Sequence, residues 1–188
     1  MPEDPGPARA AIRIVPSDQL RPGEAAALRE LFDEAWSDDA EGFTEQDWGH
    51  AVGGVHVIAE AGGRMVAHAS VVERELRTAD HRLRTGYVEA VATRPNHQRQ
   101  GLGSLVIEGV GELIDRSYEL GALATGLVGF YERLGWVAWR GPTSVRTDAG
   151  TVRTAQEDGN VFVRLTPTSP QLDLSAPISC EWRPGDAW

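Results

Sequence analysis

The sequence predicts a mixed α/β domain in which one sheet carries helices on both of its faces. Three observations predict this fold class. Strand-like and helix-like segments alternate, three strand-like runs follow one another before residue 94, and a helix-like run begins just after a glycine-rich loop. The length of 188 residues suits one domain. We expect a flexible lead at residues 1–10 and a single domain over residues 11–188.

The first 50 residues predict one strand and two helices. Residues 11–15 form a short apolar run. Pro22 can occupy the first turn of a helix, and residues 24–36 carry an apolar face at helical spacing, made of Leu28, Leu31, Phe32 and Ala35. After an acidic stretch at residues 37–41, Thr44 and Asp47 resemble a capping box that starts a short second helix.

Residues 54–93 predict an antiparallel meander of three strands. The runs 54–60 and 64–76 are joined by Ala-Gly-Gly, which is a hairpin signal. A turn near residues 78–82 leads to the run 83–93, whose centre is apolar on both faces apart from Glu89. We therefore expect this third run to be a central strand.

The second half of the chain predicts one long helix and shorter elements. Apolar or small residues at steps of four, three and four mark the helix face: Leu102, Val106, Gly109 and Leu113. Strands are expected at residues 121–125, 136–140 and 161–165, with a short helix at 127–134 that Gly135 ends. Residues 148–160 indicate a loop or hairpin, and the tail 166–188 shows no strong period.

Composition excludes several classes of function. The chain has 28 acidic and 18 basic residues, a net charge of −10, and no lysine. Walker A loops, Schiff-base chemistry and kinase sites all need lysine. The single cysteine, Cys180, excludes an internal disulfide and multi-cysteine metal sites, and we expect it simply to be buried. The acidic balance argues against nucleic acid and suits a cationic partner, although codon bias also explains an arginine-only, acidic chain.

No targeting or membrane segment is visible in the sequence. The first residues are acidic and interrupted by proline, and no run approaches the ~18 apolar residues of a membrane span. We therefore expect a cytoplasmic protein with no membrane partner. The five histidines show no short metal-ligand spacing, so no metal site is expected; they are His50, His56, His68, His81 and His97.

The most informative stretch is residues 88–104, which reads as strand, loop and helix. A helix N-terminus leaves N–H groups free and binds phosphate. Gly101 and Gly103 lack side chains and would let a pyrophosphate approach the backbone. The Rossmann fingerprint does not fit. Taken alone, the two glycines are equally compatible with an ordinary turn between a strand and a helix.

The pattern Gln98-x-x-Gly101-x-Gly103 after an apolar strand resembles the acyl-CoA loop of the GCN5-related N-acetyltransferases (GNAT), and the order of elements agrees. Other stretches resemble the aminoglycoside 2′-N-acetyltransferases of that superfamily: residues 43–48, 86–89, 120–123, 135–136, 139–145, 158–163 and 182–188. The resemblance covers nearly the whole chain after residue 10. It implies the GNAT fold, with a mixed, mostly antiparallel central sheet and helices on both faces.

The resemblance also implies the reaction and its co-substrate. Acetyl-CoA would donate its acetyl group to the 2′-amine of a 4,6- or 4,5-disubstituted aminoglycoside, by direct attack in a ternary complex, and so give antibiotic resistance. The implied coenzyme A contacts are Val91, Ala92 and Thr93 beside the pantetheine arm, and Gln98, Arg99, Gln100, Gly101, Leu102, Gly103 and Ser104 around the pyrophosphate. Members are often dimers, so a homodimer is an expectation that no feature of this sequence sets.

Glu89 is the candidate general base. It is the only charged residue in residues 87–93, and desolvation in such a setting strengthens a carboxylate as a base. The ammonium of the acceptor must lose a proton before it attacks, and the resemblance implies that the glutamate takes this proton through water. The alternative is a strand glutamate paired with an arginine.

Tyr131 is the candidate general acid. The resemblance implies that a tyrosine on this helix protonates the leaving thiolate of coenzyme A, whose pKa lies near that of a thiol, about 8.5. The alternative is a core aromatic residue that packs beside Phe130 and Trp136.

Carboxylates around a cleft would attract the ammonium groups of an aminoglycoside. The substrate-binding candidates are Glu41, Asp47, Glu89, Ala90, Ala124, Gln156, Glu157, Asp186 and Trp188 with its terminal carboxylate. For each acid the alternative is a solvated charge, or a turn in the case of residues 157–159. Gly42 and Ala124 stand where relatives carry aspartate and serine, and these departures bear on the drug contacts.

Two other functions remain open at this point. One is a GNAT acetyltransferase for another amine, such as a polyamine, a cell-wall sugar or a protein N-terminus. The other is a non-catalytic protein that binds acyl-CoA or the drug. The pair Glu89 and Tyr131 argues against the binder, since binding needs no acid and base.

Overall fold

The structure, a computed structural model, describes residues 10–40 and 42–188; the lead expected at residues 1–10 lies almost wholly outside them. The strands are β1 (Ala11–Pro16), β2 (Val55–Ala61), β3 (Arg64–Thr78), β4 (His81–Thr93), β5 (Leu120–Ala124), β6 (Val137–Ala138), β7 (Thr143–Thr147), β8 (Gly150–Arg153), β9 (Val161–Leu165) and β10 (Ile178–Glu181). The helices are α1 (Glu24–Ala35), α2 (Glu45–Ala51), α3 (Leu102–Ser117) and α4 (Val128–Glu132).

The ten strands form one sheet in the order β6-β9-β5-β4-β3-β10-β7-β8, with β2 on the first half of β3 and β1 beside β2. The pairs β4–β5 and β7–β10 are parallel and the others are antiparallel. The mixed, mostly antiparallel sheet is therefore confirmed.

Helices cover both faces of this sheet, as predicted. Side chains alternate along a strand, and β2 shows the consequence: Val57 and Ala59 belong to the core against α3, whereas Ile58 packs with α1. A third cluster is formed by residues of β3, β4, β5 and the C-terminal strands, and it holds the buried Cys180 and Trp188. The expected burial of the cysteine is confirmed.

The local signals at two helix ends are confirmed. Thr44 and Asp47 form the capping box of α2, with reciprocal bonds between side chains and backbone. Gly135 follows α4 in the left-handed conformation, at φ 84°, which favours glycine.

The predicted face of α3 does face the core, but the buried face is wider than predicted. Leu102 and Val106 are buried, but Leu113 is only partly so, and the buried face continues through Ile107, Val110, Gly111 and Ile114. The reason is close packing on β2. A Cβ at Gly109 would lie 3.0 Å from Val57 Cγ1, so Gly109 allows the close approach while larger side chains beside it fill the core.

The C-terminal part contains more strand than predicted. The tail without a period contains β10, which pairs with β7 and with the end of β3. Four residues are too few to show a period, and β10 is held by its neighbours. Residues 148–160 supply β8, which forms a hairpin with β7, and the strand expected at 136–140 is reduced to β6.

In the part of the chain that the structure describes, the helices are all too short or too polar to cross a membrane.

Candidate active site

A bulge interrupts β4 near its C-terminal end. Ser70 pairs with Glu89 and His68 with Ala92, so Ala90 and Val91 together face the single residue Ala69. Ala90 adopts φ 49°, a conformation that costs a non-glycine residue about 1–3 kcal/mol. Such bulges redirect side chains and are common beside active sites.

Beyond the bulge, β4 borders a cleft. The pairing of β4 with β5 ends at Tyr87 and Ala122, and an opening of about 580 Å³ follows it. We call this opening the α3–α4 cleft. Its lining is Val91, Ala92, Thr93, Gln98, Arg99, Gly101, Gly103, Ser104, Leu127, Phe130, Tyr131 and Arg133. Eight of the ten residues expected to contact coenzyme A are therefore in one place.

The other two residues expected to contact coenzyme A, Gln100 and Leu102, border a second hollow of about 840 Å³. Gly101 and Ser104 line both openings, which places the start of α3 between them.

The start of α3 suits an anion. Gly101 caps the 16-residue helix at φ 81°, and a helix N-terminus of this length carries partial positive charge. A Cβ built on Gly103 would lie 3.5 Å from Phe130, an ordinary contact, so core packing does not require the glycine. Its missing side chain instead leaves space on the cleft side.

Tyr131 both packs in the core and lines the cleft. It is buried, and its ring makes edge contacts with Phe130 and Trp136 at centroid distances of 4.9 and 6.2 Å. Burial raises its pKa to about 12. The phenol therefore keeps its proton at neutral pH, as a general acid must. The two interpretations of this residue are compatible.

Glu89 is paired with an arginine of the tail. Arg183 Nη1 lies 2.6 Å from Glu89 Oε1, and Arg183 Nε donates to the carbonyl of Asp186 at 2.7 Å. The alternative drawn from the sequence, a strand glutamate with an arginine partner, is thus present in the structure. The pairing also brings Asp186 into the neighbourhood of the candidate base.

The tail is held in place by a buried arginine of β3. Arg74 donates to the carbonyls of Ala187 and Glu181 at 2.7 and 2.9 Å and pairs with the Glu181 carboxylate at 3.0 Å. Its guanidinium also lies 4.7 Å from the centroid of the Tyr87 ring. Trp188 is buried, and its indole N–H donates to Thr154 Oγ1 at 3.0 Å. The C-terminus is therefore an ordered part of the fold.

Two of the predicted acids are neighbours. Burial raises the pKa of Glu157, and the nearby charge of Asp186 raises it further. The helix of Asp47 also meets the tail, since His50 Nε2 lies 2.7 Å from the carbonyl of Pro184. One carboxylate oxygen of Asp47 already serves the α2 capping box, accepting from the backbone N–H of Thr44 at 2.8 Å.

The remaining candidates are less closely tied to this cluster. Gln156 is exposed, and Ala124 ends β5, partly buried. Glu41 lies outside the described residues. The described residues include no group of three or more His, Cys, Asp or Glu that could hold a metal ion. Sequence reasoning missed the roles of Arg74 and Arg183. Arg74 belongs to no local motif, and the stretch 182–188 does not by itself show which side chain its arginine contacts.

Comparisons with known proteins identify the family of the chain. Residues 18–138 match the family described as acetyltransferase (GNAT) domain. The chain is 40% identical over 180 residues to the aminoglycoside 2′-N-acetyltransferase of Mycolicibacterium fortuitum, covering 94% of this chain and 91% of that protein.

Two solved structures share the fold. A GNAT family N-acetyltransferase (YhbS) from Escherichia coli, in complex with CoA, has a TM-score of 0.66 at 15% identity, over 94% of this chain and 92% of that one. A GNAT family acetyltransferase from Brucella melitensis, in complex with acetyl-CoA, has a TM-score of 0.52 at 19% identity, over 81% and 96%.

Proposed function

The chain belongs to the GNAT acetyltransferase family, and we propose that it transfers the acetyl group of acetyl-CoA to the 2′-amine of an aminoglycoside. The observation that carries the proposal is the position of Glu89. It stands two residues before Val91 of the α3–α4 cleft and is ion-paired to the acidic C-terminal tail. The 40% identical relative carries the same activity in its name.

The α3–α4 cleft is the proposed site of acetyl-CoA. The segment Val91–Thr93 would follow the pantetheine arm, because β4 no longer pairs with β5 there. The start of α3 would hold the pyrophosphate, since the helix N-terminus favours an anion and Gly101 and Gly103 present no side chain. Arg99 and Arg133 line the same cleft and add positive charge.

The proposed drug site lies between Glu89 and the C-terminal tail, on the side away from the α3–α4 cleft. Aminoglycosides carry several ammonium groups, and closely spaced carboxylates attract and orient them. Glu157 and Asp186 are such a pair, and α2 brings Asp47 to the same tail. We extend the proposal to both 4,6- and 4,5-disubstituted drugs, which a comparison of tobramycin with neomycin tests.

The proposed chemistry uses one base and one acid. Acetyl-CoA supplies an acetyl thioester. Glu89 first takes a proton from the ammonium, directly or through water, which leaves a neutral amine. The amine nitrogen then bonds to the acetyl carbon, the C–S bond breaks, and Tyr131 gives its proton to the sulfur. The proton that the acetylated nitrogen loses returns to the Tyr131 phenolate. The raised pKa of Tyr131 keeps the phenol protonated until the thiolate forms.

Arg183 adds a competition at the base. A cationic acceptor and Arg183 both favour the Glu89 carboxylate, so the drug would compete with Arg183 for it. An ammonium of the drug would displace Arg183 from Glu89, and Arg183 Nε could keep its hydrogen bond to the carbonyl of Asp186.

The deciding experiment measures release of free CoA thiol from acetyl-CoA. Kanamycin B has a 2′-amine and kanamycin A has a hydroxyl there, so the two drugs form a matched pair. The proposal expects release with kanamycin B and none with kanamycin A. Release with both contradicts the site of acetylation, and drug binding without release supports a non-catalytic binder. Release with a polyamine or a peptide amine but with neither drug supports the other acetyltransferase.

A homodimer is proposed, and light scattering of the purified protein tests it. A cytoplasmic location is proposed because the co-substrate acetyl-CoA is found there, and fractionation of producing cells tests it.

A further inference from the structure

Two buried histidines lie next to the active-site bulge, and the proposed chemistry uses neither. His56 on β2 and His68 on β3 are 1% and 0% exposed. His56 Nδ1 lies 2.8 Å from His68 Nε2. Buried titratable rings need a hydrogen-bond partner at each nitrogen that burial removes from water.

The hydrogen bonds of these rings all run in one direction. His68 Nδ1 lies 2.8 Å from the carbonyl oxygen of Ala90, which can only accept, so this nitrogen carries the hydrogen. His68 Nε2 is then an acceptor, and His56 Nδ1 donates to it.

The same logic extends to the loop after β1. His56 Nε2 is left as an acceptor, and Ser17 Oγ lies 2.9 Å from it. Ser17 Oγ in turn accepts from the backbone N–H groups of Gly53 and Gly54 at 3.0 and 3.2 Å. Ser17 Oγ also lies 3.1 Å from the Gly54 carbonyl, but the single hydroxyl hydrogen is needed by the histidine. We call Ser17, His56 and His68 the relay.

Both rings have the charge state that the relay requires. Burial lowers the pKa of His56 to about 4, and burial beside His56 lowers that of His68 to about 3. Two neutral rings each provide one donor and one acceptor, whereas a protonated ring would direct a second N–H at its neighbour.

The last hydrogen bond of the relay reaches Ala90, a residue that the β3–β4 pairing leaves out. Ala90 is the left-handed residue of the bulge, and the β3–β4 ladder skips it. His68 supplies a donor to its carbonyl, and Ser70 Oγ donates to the carbonyl of Glu89 at 3.3 Å. The ring of Phe32 on α1 covers His68 at a centroid distance of 4.9 Å. Side chains of β3 thus hold two consecutive bulge carbonyls.

We propose that Ser17, His56 and His68 are positioning residues for acetyl transfer, whose relay fixes the Ala90 carbonyl and with it the backbone between Glu89 and Val91. Ala90 separates the candidate base from the first residue of the cleft. A change in its peptide orientation moves both, and small displacements of reacting groups cost up to about 100-fold in rate. The expected effect on kcat rests on the proposed function, whereas the hydrogen bonds of the relay do not.

The kinetic test compares three variants at the centre of the relay. His68→Asn keeps a donor near the position of Nδ1, His68→Leu removes both hydrogen bonds, and Ile114→Ala makes a cavity in the core near the far end of α3. We expect kcat to fall at least tenfold in His68→Leu and less in His68→Asn, with KM for acetyl-CoA within threefold of wild type in both. The loss of kcat in each variant is compared with its loss of melting temperature. If His68→Leu loses no more kcat per degree of melting temperature than Ile114→Ala does, the proposal is overturned.

The structural test needs no substrate. Long-range ¹H–¹⁵N NMR spectra of the free protein should show both rings as neutral Nδ1–H tautomers, and Ser17→Ala should shift the His56 resonances. Either ring in the Nε2–H form, or protonated at pH 7, overturns the relay even if His68→Leu does not fold. A wild-type protein that acetylates no aminoglycoside contradicts the proposed function alone, and the tautomers then still decide the relay.

Discussion

Arg183 Nη1 lies 2.6 Å from Glu89 Oε1, and both side chains are only 15% exposed. The partner of the candidate base comes from the tail, whose position is set by Arg74 beneath it. The acetyl side and the acceptor side of the proposed site therefore meet at one ion pair.

The first prediction concerns this pair. Arg183→Gln removes a cation that competes with the drug for Glu89, so KM for kanamycin B should fall about threefold to tenfold, the effect of roughly 1 kcal/mol. Initial rates at saturating acetyl-CoA measure it. Arg116→Gln, on the exposed side of α3, is the control and should leave KM unchanged. A higher KM in Arg183→Gln would mean that the arginine assists drug binding.

The second prediction concerns the base. Glu89→Gln keeps the size of the side chain but cannot take a proton, so kcat should fall about 10²–10⁴-fold. The matched control is Glu112→Gln, an exposed glutamate of α3. Thiol release under saturating substrates is the measurement, and near-normal turnover of Glu89→Gln across the pH range would remove this residue from the mechanism.

The third prediction concerns the acid. Tyr131→Phe keeps the core packing but loses the proton donor, so kcat should fall about 100-fold with little change in KM for acetyl-CoA. Because the pKa of Tyr131 is raised to about 12, its ionisation should cause no loss of wild-type activity below pH 10. Tyr118→Phe serves as the control, since Tyr118 contacts Arg84 outside the cleft. An equal loss in both variants would point to packing alone.

The fourth prediction concerns the tail. Asp186→Asn should raise KM for the drug more than KM for acetyl-CoA, because it removes one of two neighbouring carboxylates from the acceptor side. Deletion of the last three residues should do the same more strongly, and should lower the melting temperature because Trp188 is buried. Asp80→Asn, in the turn between β3 and β4, is the control. Equal changes in the two KM values would argue against a drug site here.

The fifth prediction concerns stability in acid. The unfolded chain protonates His68 near pH 6.5, whereas the folded protein does so only at about 3. Below pH 6.5 the unfolded state therefore binds more protons, and stability falls as pH falls, by up to about 1.4 kcal/mol per pH unit. From pH 7.5 to 5.0 this amounts to about 2 kcal/mol. Urea unfolding should show a smaller loss of stability between these pH values in His68→Asn than in the wild-type protein, and an equal loss in both would contradict the prediction.

Local patterns in the sequence predicted much of this molecule correctly. The capping box of α2, the meander β2–β4 and the glycine-rich entry to α3 are each specified within a few residues. The buried face of α3 was predicted too narrow, because Gly109 lets the helix approach β2 closely enough to bury neighbouring residues as well. The strand β10 was missed, because four residues carry no period and its pairing partners lie far away in sequence.

By itself the sequence determined the fold class and the loop before α3, and it singled out Glu89 and Tyr131 as candidates, since short-range spacing and a family resemblance are enough for these. Only the tertiary structure decided what surrounds them. Arg74 and Glu181 are 107 positions apart, His68 and Ala90 are 22 apart, and each pair meets through the sheet. A local pattern cannot encode such contacts, because they exist only once strands distant in the chain have paired and have excluded water from the side chains between them.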